Sequence, residues 1–463
     1  MTIKPTPKVK KEGNSDGIQT ARGMRDIVGR EFFSYQGFFE KAAEIALYYG
    51  FKPIETPILE NIALFTGAIG EGTDIVEKEM FQVKTKGGDT LAMRPEGTAP
   101  IMRAYLETGM KSWPQPAMLY YGGPFFRYER PQRGRFREFR QFGLEMLGTE
   151  KSIADAMVIK ILMTILADVG VKNLILEINS IGDKECRPAY RRALVTYYKK
   201  RLSSICTDCR ERIKTNPLRV LDCKEEKCQP IIAEAPDAMG FLCPPCKAHF
   251  KEVLEYLEAL GLEYVIKPTL VRGLDYYNRT VFEISTTPEK TEEGEVGVKA
   301  NNAENSETKK GETEPLAPLA LAGGGRYDGL ARALGSKTDV PAMGAAIGVD
   351  RVIQALGPNA EELNPRIVKK PKIFFIQLGF DAKLRSMKIT EILRKAKVPI
   401  AQSLSKDSLG SQLATAERMK IPYAIILAQK EVLENTVIVR NMDTRSQDSV
   451  PTDELADYVK KLK

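Results

Sequence analysis

Arginine is concentrated in one short stretch of the chain, residues 119–147, which reads LYYGGPFFRYERPQRGRFREFRQFGLEML. Six arginines fall between residues 127 and 140, where they are interleaved with Phe136 and Phe139. The guanidinium fork binds phosphate oxygens in pairs, and an aromatic face stacks on a nucleobase. The stretch therefore predicts a site for a polyphosphate nucleotide, although a basic surface hairpin without a special role has the same composition.

Two strands are needed to hold these arginines in place. Both arms of the stretch alternate apolar and polar residues, which is the period of strands with one buried face. Residues 130–135 (RPQRGR) between the arms are too basic and too rich in proline and glycine to form a core. We therefore predict an antiparallel hairpin with a long cationic tip.

Two further stretches contain residues suited to ligand binding, RGLDYYNRT at 272–280 and GGGRYDG at 323–329. The glycine triplet allows close approach of the backbone to a ligand, but a tight turn uses glycine as well. Arg272 either contacts a ligand or pairs with Asp275 or a surface acid to brace a turn. Arg351 lies near the start of a predicted helix, where a cation opposes the helix dipole. A bound anion explains that position, as does a surface salt bridge.

A carboxylate lies beside another predicted helix start, in the sequence TLAMRPEGTAPIMRAY at residues 90–105. The pattern predicts a short strand, a turn and a helix, with Glu96 in the turn. A carboxylate there offsets the helix dipole. A carboxylate at the end of a strand also suits a substrate ammonium, so both interpretations stay open.

All seven cysteines lie within residues 183–264, a segment that we predict to be a helical insertion. Six of them form closely spaced pairs: Cys206 and Cys209, Cys223 and Cys228, Cys243 and Cys246. Tetrahedral zinc uses such spacings. Six candidates for four ligand positions are not a clean signature, so structural zinc and reduced structural thiols both remain open. The single histidine, His249, is predicted to be a helix-surface residue rather than a ligand.

The 463-residue chain is too long for one core, and its hydrophobic content of 43% and charged content of 28% are those of a globular protein. A net charge of +8 suits ATP and nucleic acid as partners, but many enzymes with neither have the same balance. No run approaches the roughly 20 apolar residues of a membrane span. Residues 1–17 resemble neither a secretory signal nor a transit peptide, which together with the cysteine usage predicts a cytoplasmic protein.

Two later segments of the chain differ in composition and in predicted structure. Residues 286–315 are dominated by Glu, Lys, Thr, Asn and Gly, a composition that predicts disorder. From residue 372 onward strands alternate with helices, which predicts a small α/β domain with a mostly parallel sheet. This segment has sixteen Lys and Arg against eleven Asp and Glu, which permits contact with RNA.

Together these stretches resemble the histidyl-tRNA synthetase family of class II aminoacyl-tRNA synthetases, from about Gly23 to the C-terminus. RGLDYYNRT and GGGRYDGL match the two histidine signatures of the family. The helix at residues 31–49 with the strand ending at Pro57, the arginine hairpin, and residues 344–356 match the three class II motifs in order.

The resemblance implies an α+β catalytic domain built on an antiparallel six-stranded sheet, a helical insertion, and a C-terminal α/β anticodon-binding domain, assembled as a homodimer. The expected boundaries are a disordered tail at 1–18, a catalytic domain at 19–358, a linker at 359–371 and an anticodon-binding domain at 372–463. Within the catalytic domain, residues 183–264 form the cysteine-containing insertion and residues 286–315 a disordered acidic loop.

The implied activity is the ATP- and Mg²⁺-dependent activation of L-histidine to histidyl-adenylate, followed by transfer to the 3′ end of histidine tRNA. Arg127 and Arg272 would be the catalytic residues, on opposite sides of the α-phosphate. The implied ATP-binding residues are Arg127, Glu129, Arg135, Phe139 and Arg351. The implied histidine-binding residues are Glu96, Thr98, Arg127, Gln141, Glu145, Arg272, Tyr276, Tyr277 and Tyr327. Neutral imidazole has one N–H and one lone pair, so it needs a carboxylate acceptor and a hydroxyl donor.

Two alternatives belong to the same superfamily. A non-catalytic, histidine-binding regulatory paralogue would lack the anticodon domain and depart from RGLDYY, and both features are present here. A prolyl, threonyl or glycyl enzyme would share the C-terminal domain but not the two histidine signatures.

Overall fold

The computed structural model describes residues 18–70, 73–130, 134–287 and 318–462 of the chain. They belong to two compact units, Met1–Pro365 and Arg366–Lys463. The predicted disordered tail lies outside the described residues except for Ile18. The predicted acidic loop also lies outside them except for its first two residues. Of these, Thr286 is the last residue of a strand rather than part of a loop.

The chain forms fourteen described α-helices. Ten lie in the first unit: α1 Arg30–Tyr48, α2 Ile62–Ile69, α3 Thr98–Glu107, α4 Ser152–Asp168, α5 Arg187–Lys199, α6 Thr207–Thr215, α7 Gln229–Ala233, α8 Pro244–Ala259, α9 Leu330–Ala333 and α10 Val349–Leu356. Four lie in the second: α11 Phe380–Lys395, α12 Leu409–Arg418, α13 Gln429–Glu434 and α14 Leu455–Lys461. A π-helical turn spans Ile75–Glu79, and short 3₁₀ helices include Pro217–Asp222.

Sixteen strands are described. Those of the first unit are β1 Lys52–Pro53, β2 Leu59–Asn61, β3 Gln82–Lys84, β4 Thr90–Met93, β5 Ala117–Phe126, β6 Glu138–Leu147, β7 Leu174–Ser180, β8 Val265–Ile266, β9 Asn278–Thr286, β10 Leu319–Arg326 and β11 Ala342–Gly348. Those of the second are β12 Ile373–Gln377, β13 Ile400–Gln402, β14 Tyr423–Leu427, β15 Thr436–Asn441 and β16 Gln447–Pro451.

The main sheet has the strand order β1-β5-β6-β11-β10-β9-β7-β8. Its six central strands, β5, β6, β11, β10, β9 and β7, are all antiparallel, as the family resemblance implies. The two edge strands, β1 and β8, are each two residues long. β1 pairs in parallel with β5 and β8 pairs in parallel with β7, so the sheet has eight strands rather than six. The strand predicted to reach Pro57 ends at Pro53, and the N–H of Ile54 makes the last hydrogen bond to β5, to the carbonyl of Tyr120 at 2.9 Å.

The side chains of strand β6 alternate between the two faces of the main sheet. Successive residues of a strand point to opposite faces. Phe142, Leu144 and Met146 are buried in a core that also contains the apolar residues of α1 and α4. The residues between them, including Gly143 and Glu145, therefore point to the opposite face. Because one face is filled by helices, the other is available for a site.

The insertion is helical, as predicted, but His249 is not a surface residue. Its ring is 8% exposed and Nε2 lies 3.3 Å from Oδ1 of Asp155. His249 lies one turn before Val253 on the face of α8 that packs against α4, so helical periodicity places it inside. Asp155 also accepts a 2.6 Å hydrogen bond from the fully buried Arg326, which compensates its charge.

The second unit contains a five-stranded sheet in the order β13-β12-β14-β15-β16. β12 pairs in parallel with β13 and β14, whereas β15 pairs antiparallel with β14 and β16. The sheet is therefore mixed rather than mostly parallel. The sequence analysis did not predict β16, whose residues are mostly exposed and polar. Among all helices in the described parts of the chain, none is long and apolar enough to cross a membrane.

Candidate active site

A buried carboxylate lies at the centre of the site, on the face of β6 that the helices leave uncovered. Glu145 is completely buried and accepts hydrogen bonds from the hydroxyls of Thr98 (2.8 Å), Tyr121 (3.3 Å) and Tyr327. Gly344 pairs with Glu145 on the neighbouring strand β11, and a Cβ atom there would overlap the carboxylate. The local sequence thus provides both the room for this carboxylate and the donors that orient it.

Burial raises the pKa of Glu145 to about 8, and the nearby carboxylate of Glu96 contributes in the same direction. The hydroxyl donors of Tyr327 and Thr98 oppose this rise only in part. Desolvation disfavours the charged form of a carboxyl group, so Glu145 changes its charge near neutral pH rather than near pH 4. Carboxyl groups perturbed in this way are concentrated at functional sites.

Glu96 is also buried, in the turn before α3. Its carboxylate accepts hydrogen bonds from the backbone N–H groups of Thr98 (2.7 Å) and Ala99 (3.0 Å) and from the hydroxyl of Tyr276 (3.3 Å). It therefore caps the helix, as the dipole interpretation predicts. A carboxylate accepts about four hydrogen bonds, so one lone pair remains for a ligand. Burial raises the pKa of Glu96 despite these bonds.

Tyrosines from both histidine signatures complete this pocket. The ring centroid of Tyr276 lies 4.7 Å from that of Tyr277 and 5.7 Å from that of Tyr327. Burial raises the pKa of Tyr277 to about 12 and raises the pKa values of Tyr276 and Tyr327 well above their usual range, so all three hydroxyls keep their protons. We call this group the carboxylate pocket; its members are Glu96, Thr98, Tyr121, Glu145, Tyr276, Tyr277 and Tyr327.

A cavity of about 210 Å³ lies further along the same strands. Phe139 and Gln141 line it, and both share the face of β6 that carries Glu145 because they are separated from it by even numbers of residues. We call it the arginine cavity; the predicted site residues in its lining are Arg127, Glu129, Arg135, Phe139, Gln141, Arg272 and Arg351. The structure therefore brings all the predicted ATP-binding residues together and places Gln141 with them.

The arginines of this cavity are held by few contacts. Nε of Arg127 donates to the carbonyl of Pro95 (2.9 Å), and its guanidinium carbon lies 5.4 Å from the ring centroid of Phe139. Arg351 donates to the carbonyl of Ala320 (2.9 Å). Burial and the positive charge of Arg135 both lower the pKa of Arg351. An anion in the cavity would relieve this repulsion between like charges.

Arg272 reaches the arginine cavity from the turn before β9. Its Nη1 donates to Glu283 at 2.7 Å, and its Nε is buried without a hydrogen-bond partner among the described residues. A Cβ atom at Gly323 would lie 2.7 Å from Nη1, so the first glycine of the triplet makes room for the guanidinium. Of the alternative partners, Asp275 instead accepts from Asn216 at 2.7 Å, whereas Glu283 is a partly exposed acid that does pair with Arg272.

The sequence analysis missed Tyr121, Glu283 and two arginines of the insertion. Tyr121 pairs with Gly143 across the hairpin, and alternation along β5 places it on the same face as Glu145. That signal was present in the sequence. Arg212 and Arg219 line an adjoining cavity of about 220 Å³ together with Arg127 and Arg272. Nothing in the local pattern of the insertion indicates this contact.

An antiparallel sheet with an arginine hairpin, a glycine-rich strand and a strand–helix arginine beside one cavity is the architecture of a class II aminoacyl-tRNA synthetase. Comparison with known proteins makes the assignment more specific. The family model described as histidyl-tRNA synthetase matches residues 23–182, and the anticodon-binding domain model matches residues 372–462. The chain belongs to the histidyl-tRNA synthetase family, because a relative of that family is 39% identical over 96% of it.

Individual relatives cover nearly the whole chain. A histidine–tRNA ligase of Dehalococcoides mccartyi is 39% identical over 443 residues, which are 96% of this chain and 99% of that protein. One from Thermodesulfovibrio yellowstonii is 39% identical over 440 residues, 95% of this chain and 97% of its own. The crystal structure of apo S. aureus histidyl-tRNA synthetase superposes with a TM-score of 0.75 at 31% identity, covering 96% of this chain and 100% of that one.

Proposed function

We propose that the protein activates L-histidine with ATP, forming histidyl-adenylate and pyrophosphate, and then transfers histidine to the 3′ end of histidine tRNA. The observation that carries the proposal is the position of the carboxylate pocket beside the arginine cavity on one face of β6. A polar amino acid and a nucleotide bound there would have their reacting groups next to each other. A regulatory paralogue is disfavoured because the chain has the anticodon-binding domain that such paralogues lack.

The carboxylate pocket suits the imidazole ring of histidine. Glu145 accepts the imidazole N–H, while the hydroxyl of Tyr277 donates to the second ring nitrogen. The hydroxyl of Tyr327 orients the carboxylate of Glu145, to which it donates its one proton. Glu96, Thr98 and Gln141 bind the substrate ammonium, using the lone pair of Glu96 that the helix cap leaves unused. An apolar isostere would leave these buried polar groups unpaired, so the pocket discriminates strongly against it.

The arginine cavity suits ATP. Arg127 and Arg272 hold the α-phosphate from opposite sides, Arg135 and Arg351 bind the distal phosphates, and Phe139 stacks on adenine with Glu129 on the adenine side. The attacking carboxylate of histidine is already ionised, so the step needs positioned positive charge rather than a general base.

Magnesium is compatible with this cavity. Glu129 and Glu283 line it and provide the carboxylate oxygens that Mg²⁺ prefers, in addition to those of the phosphates. Bound Mg²⁺ would neutralise part of the phosphate charge. In the structure Glu129 pairs with Arg135, and Glu283 pairs with Arg272. Binding of Mg²⁺ to these carboxylates would free both arginines to bind the nucleotide.

The first class II motif supports a homodimer. Large apolar side chains are exposed on α1 and at the residues that follow β1: Leu47, Tyr48, Ile58 and Leu59. Exposed apolar residues concentrated in this way indicate a protein interface. We infer that the enzyme works as a cytoplasmic homodimer, and light scattering of the purified protein would give twice the chain mass of 51.7 kDa.

Pyrophosphate exchange across the amino acids tests the proposed function. We expect labelled pyrophosphate to enter ATP only when L-histidine and Mg²⁺ are both present. Exchange with proline or threonine at an equal rate would contradict the amino-acid assignment. No exchange with any amino acid would favour the regulatory paralogue.

The second unit is assigned to tRNA binding, and its removal separates the two half-reactions. A chain ending at Pro365 retains every residue of the pocket and the cavity. We expect it to keep most of its adenylation rate and to lose most of its aminoacylation rate. An equal loss of both rates in a folded dimer would contradict the assignment.

A further inference from the structure

The cysteine-containing insertion brings its thiols together in two separate groups. Cys206, Cys209, Cys223 and Cys228 form the first, and Asp183, Cys186, Cys243 and Cys246 form the second. Within each group the four ligand atoms all lie within 4.8 Å of one another. The six closely spaced cysteines are too many for one tetrahedral site because they belong to two sites. Four of them form the first group, and the other two lie in the second group with Cys186 and Asp183.

The sulfur separations are those of ligands around one ion. Sγ of Cys206 lies 3.8 Å from Sγ of Cys223, and Sγ of Cys186 lies 3.9 Å from Sγ of Cys246. Four sulfurs at about 2.3 Å from a tetrahedral zinc ion are about 3.8 Å apart. A disulfide requires about 2.05 Å, and none of the seven cysteines forms one. We propose that the insertion binds two zinc ions, one in each group.

The first group is built to hold thiolates. The backbone N–H of Cys206 donates to Sγ of Cys228 at 3.2 Å, and that of Cys209 donates to Sγ of Cys206 at 3.3 Å. Cys206 is also the N-cap of α6, so its sulfur lies at the positive end of a helix. All four residues are buried. Donors directed at sulfur stabilise the negative charge that metal binding requires.

The second group has one carboxylate and three sulfurs. Oδ1 of Asp183 lies 3.5 Å from Sγ of Cys186 and 3.9 Å from Sγ of Cys243. Its other oxygen lies 3.4 Å from Nη2 of Arg279, which fixes the carboxylate from outside the group. A second contact of this kind commonly orients a metal ligand. Zinc accepts carboxylate and thiolate ligands together, whereas iron–sulfur clusters are held by thiolates.

The alternative is that the thiols are only small buried side chains. Packing alone does not require eight ligand atoms in two sets of four. Oδ1 of Asp183 also accepts hydrogen bonds from the backbone N–H groups of Glu185 and Cys186, at 3.0 and 3.4 Å, which fixes the carboxylate but does not require three sulfurs around it. Four of the seven cysteines are the first or last members of short turns, Cys206–Cys209 and Cys243–Cys246. Such turns place both sulfurs on one side of the backbone, which is the arrangement that structural zinc sites use.

The first zinc site also holds in place a segment of the insertion that lies beside the arginine cavity. Between Cys209 and Cys223, Arg212 and Arg219 each bind Asp74, at 3.1 and 2.7 Å. Asn216 in the same segment binds Asp275 of the RGLDYYNRT signature. The zinc ion closes this segment at both ends. We therefore expect loss of the first site to affect ATP binding more than loss of the second.

Metal content of the full-length protein tests the proposal. Protein purified without added metal should contain two zinc ions per chain by elemental analysis, and native mass spectrometry should show the corresponding mass. The double variant C206S/C209S should retain one zinc, and so should C243S/C246S. The control variant Thr207→Ser, at an exposed position beside the first site, should retain two.

A wild-type measurement keeps the test independent of how the variants fold. Protein produced with cobalt in place of zinc should show the visible bands and thiolate charge-transfer absorption of tetrahedral cobalt, at two ions per chain. Fewer than two metal ions per chain in active wild-type protein would overturn the two-site proposal. Iron in place of zinc would overturn the choice of metal.

Discussion

The carboxylate pocket and the arginine cavity lie side by side on one sheet face but are stabilised in opposite ways. In the pocket, Glu145 and Tyr327 are 0% and 1% exposed, and both oxygens of Glu145 are hydrogen-bonded. In the cavity, the side chain of Arg135 is 52% exposed. Arg127 and Arg351 each donate to one backbone carbonyl, and Arg127 also lies 3.7 Å from the carboxylate of Glu129. The pocket is complete before a ligand arrives, whereas the cavity has more positive charge than its own carboxylates neutralise.

Because of this difference, we expect the pocket to select the amino acid and the cavity to promote the chemical step. A dry pocket with fixed donors and acceptors rejects a ligand that leaves them unpaired, so we expect it to decide which amino acid binds. A cavity with loosely held guanidinium groups stabilises charge wherever the phosphates place it, so it governs the rate. Changes in the pocket should therefore act mainly on amino-acid binding, and changes in the cavity on ATP and the adenylation step.

The largest effect is expected for Glu145→Gln. The substitution keeps the shape of the side chain but replaces one acceptor oxygen by an amide donor among hydroxyl donors. It also prevents the side chain from ionising above its pKa of about 8. We expect kcat/KM for histidine to fall by roughly 10³-fold, the scale for losing one partner of a buried charged hydrogen bond. Pyrophosphate exchange at varied histidine concentration measures it. Glu361→Gln, at an exposed residue paired with Arg30, is the matched control and should be near normal. Near-normal activity of Glu145→Gln would contradict the assignment of the pocket.

Arg272→Lys tests the cavity. Lysine keeps the positive charge but loses the guanidinium fork that we propose holds the α-phosphate. We expect adenylation to fall by roughly 10²–10³-fold, the scale for removing one preorganised donor, with little change in histidine affinity. Single-turnover adenylate formation measures the step. Arg332→Lys, in an exposed pair with Asp339, provides the control. A fully active lysine variant would reduce Arg272 to a structural partner of Glu283.

The pocket should also lower stability as the pH rises. The pKa of Glu145 is raised by burial from 4.5 to about 8, so the native state binds a proton that the unfolded state releases. The free energy of unfolding should therefore fall between about pH 4.5 and pH 8, by at most about 1.4 kcal/mol per pH unit from this group. Urea unfolding of wild type and Glu145→Gln over this range isolates the effect, because all other titrating groups are shared. Parallel pH profiles would show that Glu145 is not responsible.

The smallest effect is expected for the segment that joins β9 to β10. These strands carry Glu283 and Gly323 of the cavity and pair through Thr286 and Leu319. Replacing residues 288–317 by a short Gly/Ser turn preserves that register. Closure of a loop changes by only about 0.6 kcal/mol per doubling of length, so we expect adenylation to change less than about threefold. A larger loss would give the replaced segment a part in the reaction.

The sequence predicted most of the sheet because its information is local. Alternation in the hairpin arms defines β5 and β6, and glycine and proline mark where strands end. The identity of the site came from the two histidine signatures rather than from periodicity. The missed features depend on contacts between distant segments: Tyr121 across from Gly143, His249 against α4, and Asp183 beside Cys246. β16 was missed because an exposed, polar edge strand lacks a hydrophobic pattern.

The central claim is that two adjacent subsites divide the recognition of two substrates. Calorimetric titration of histidine and of ATP–Mg²⁺ into wild type, Glu145→Gln and Arg351→Gln tests it most directly. We predict that Glu145→Gln loses measurable histidine binding and keeps its ATP affinity, while Arg351→Gln weakens ATP binding and keeps its histidine affinity. Equal weakening of both ligands by either variant would contradict the account.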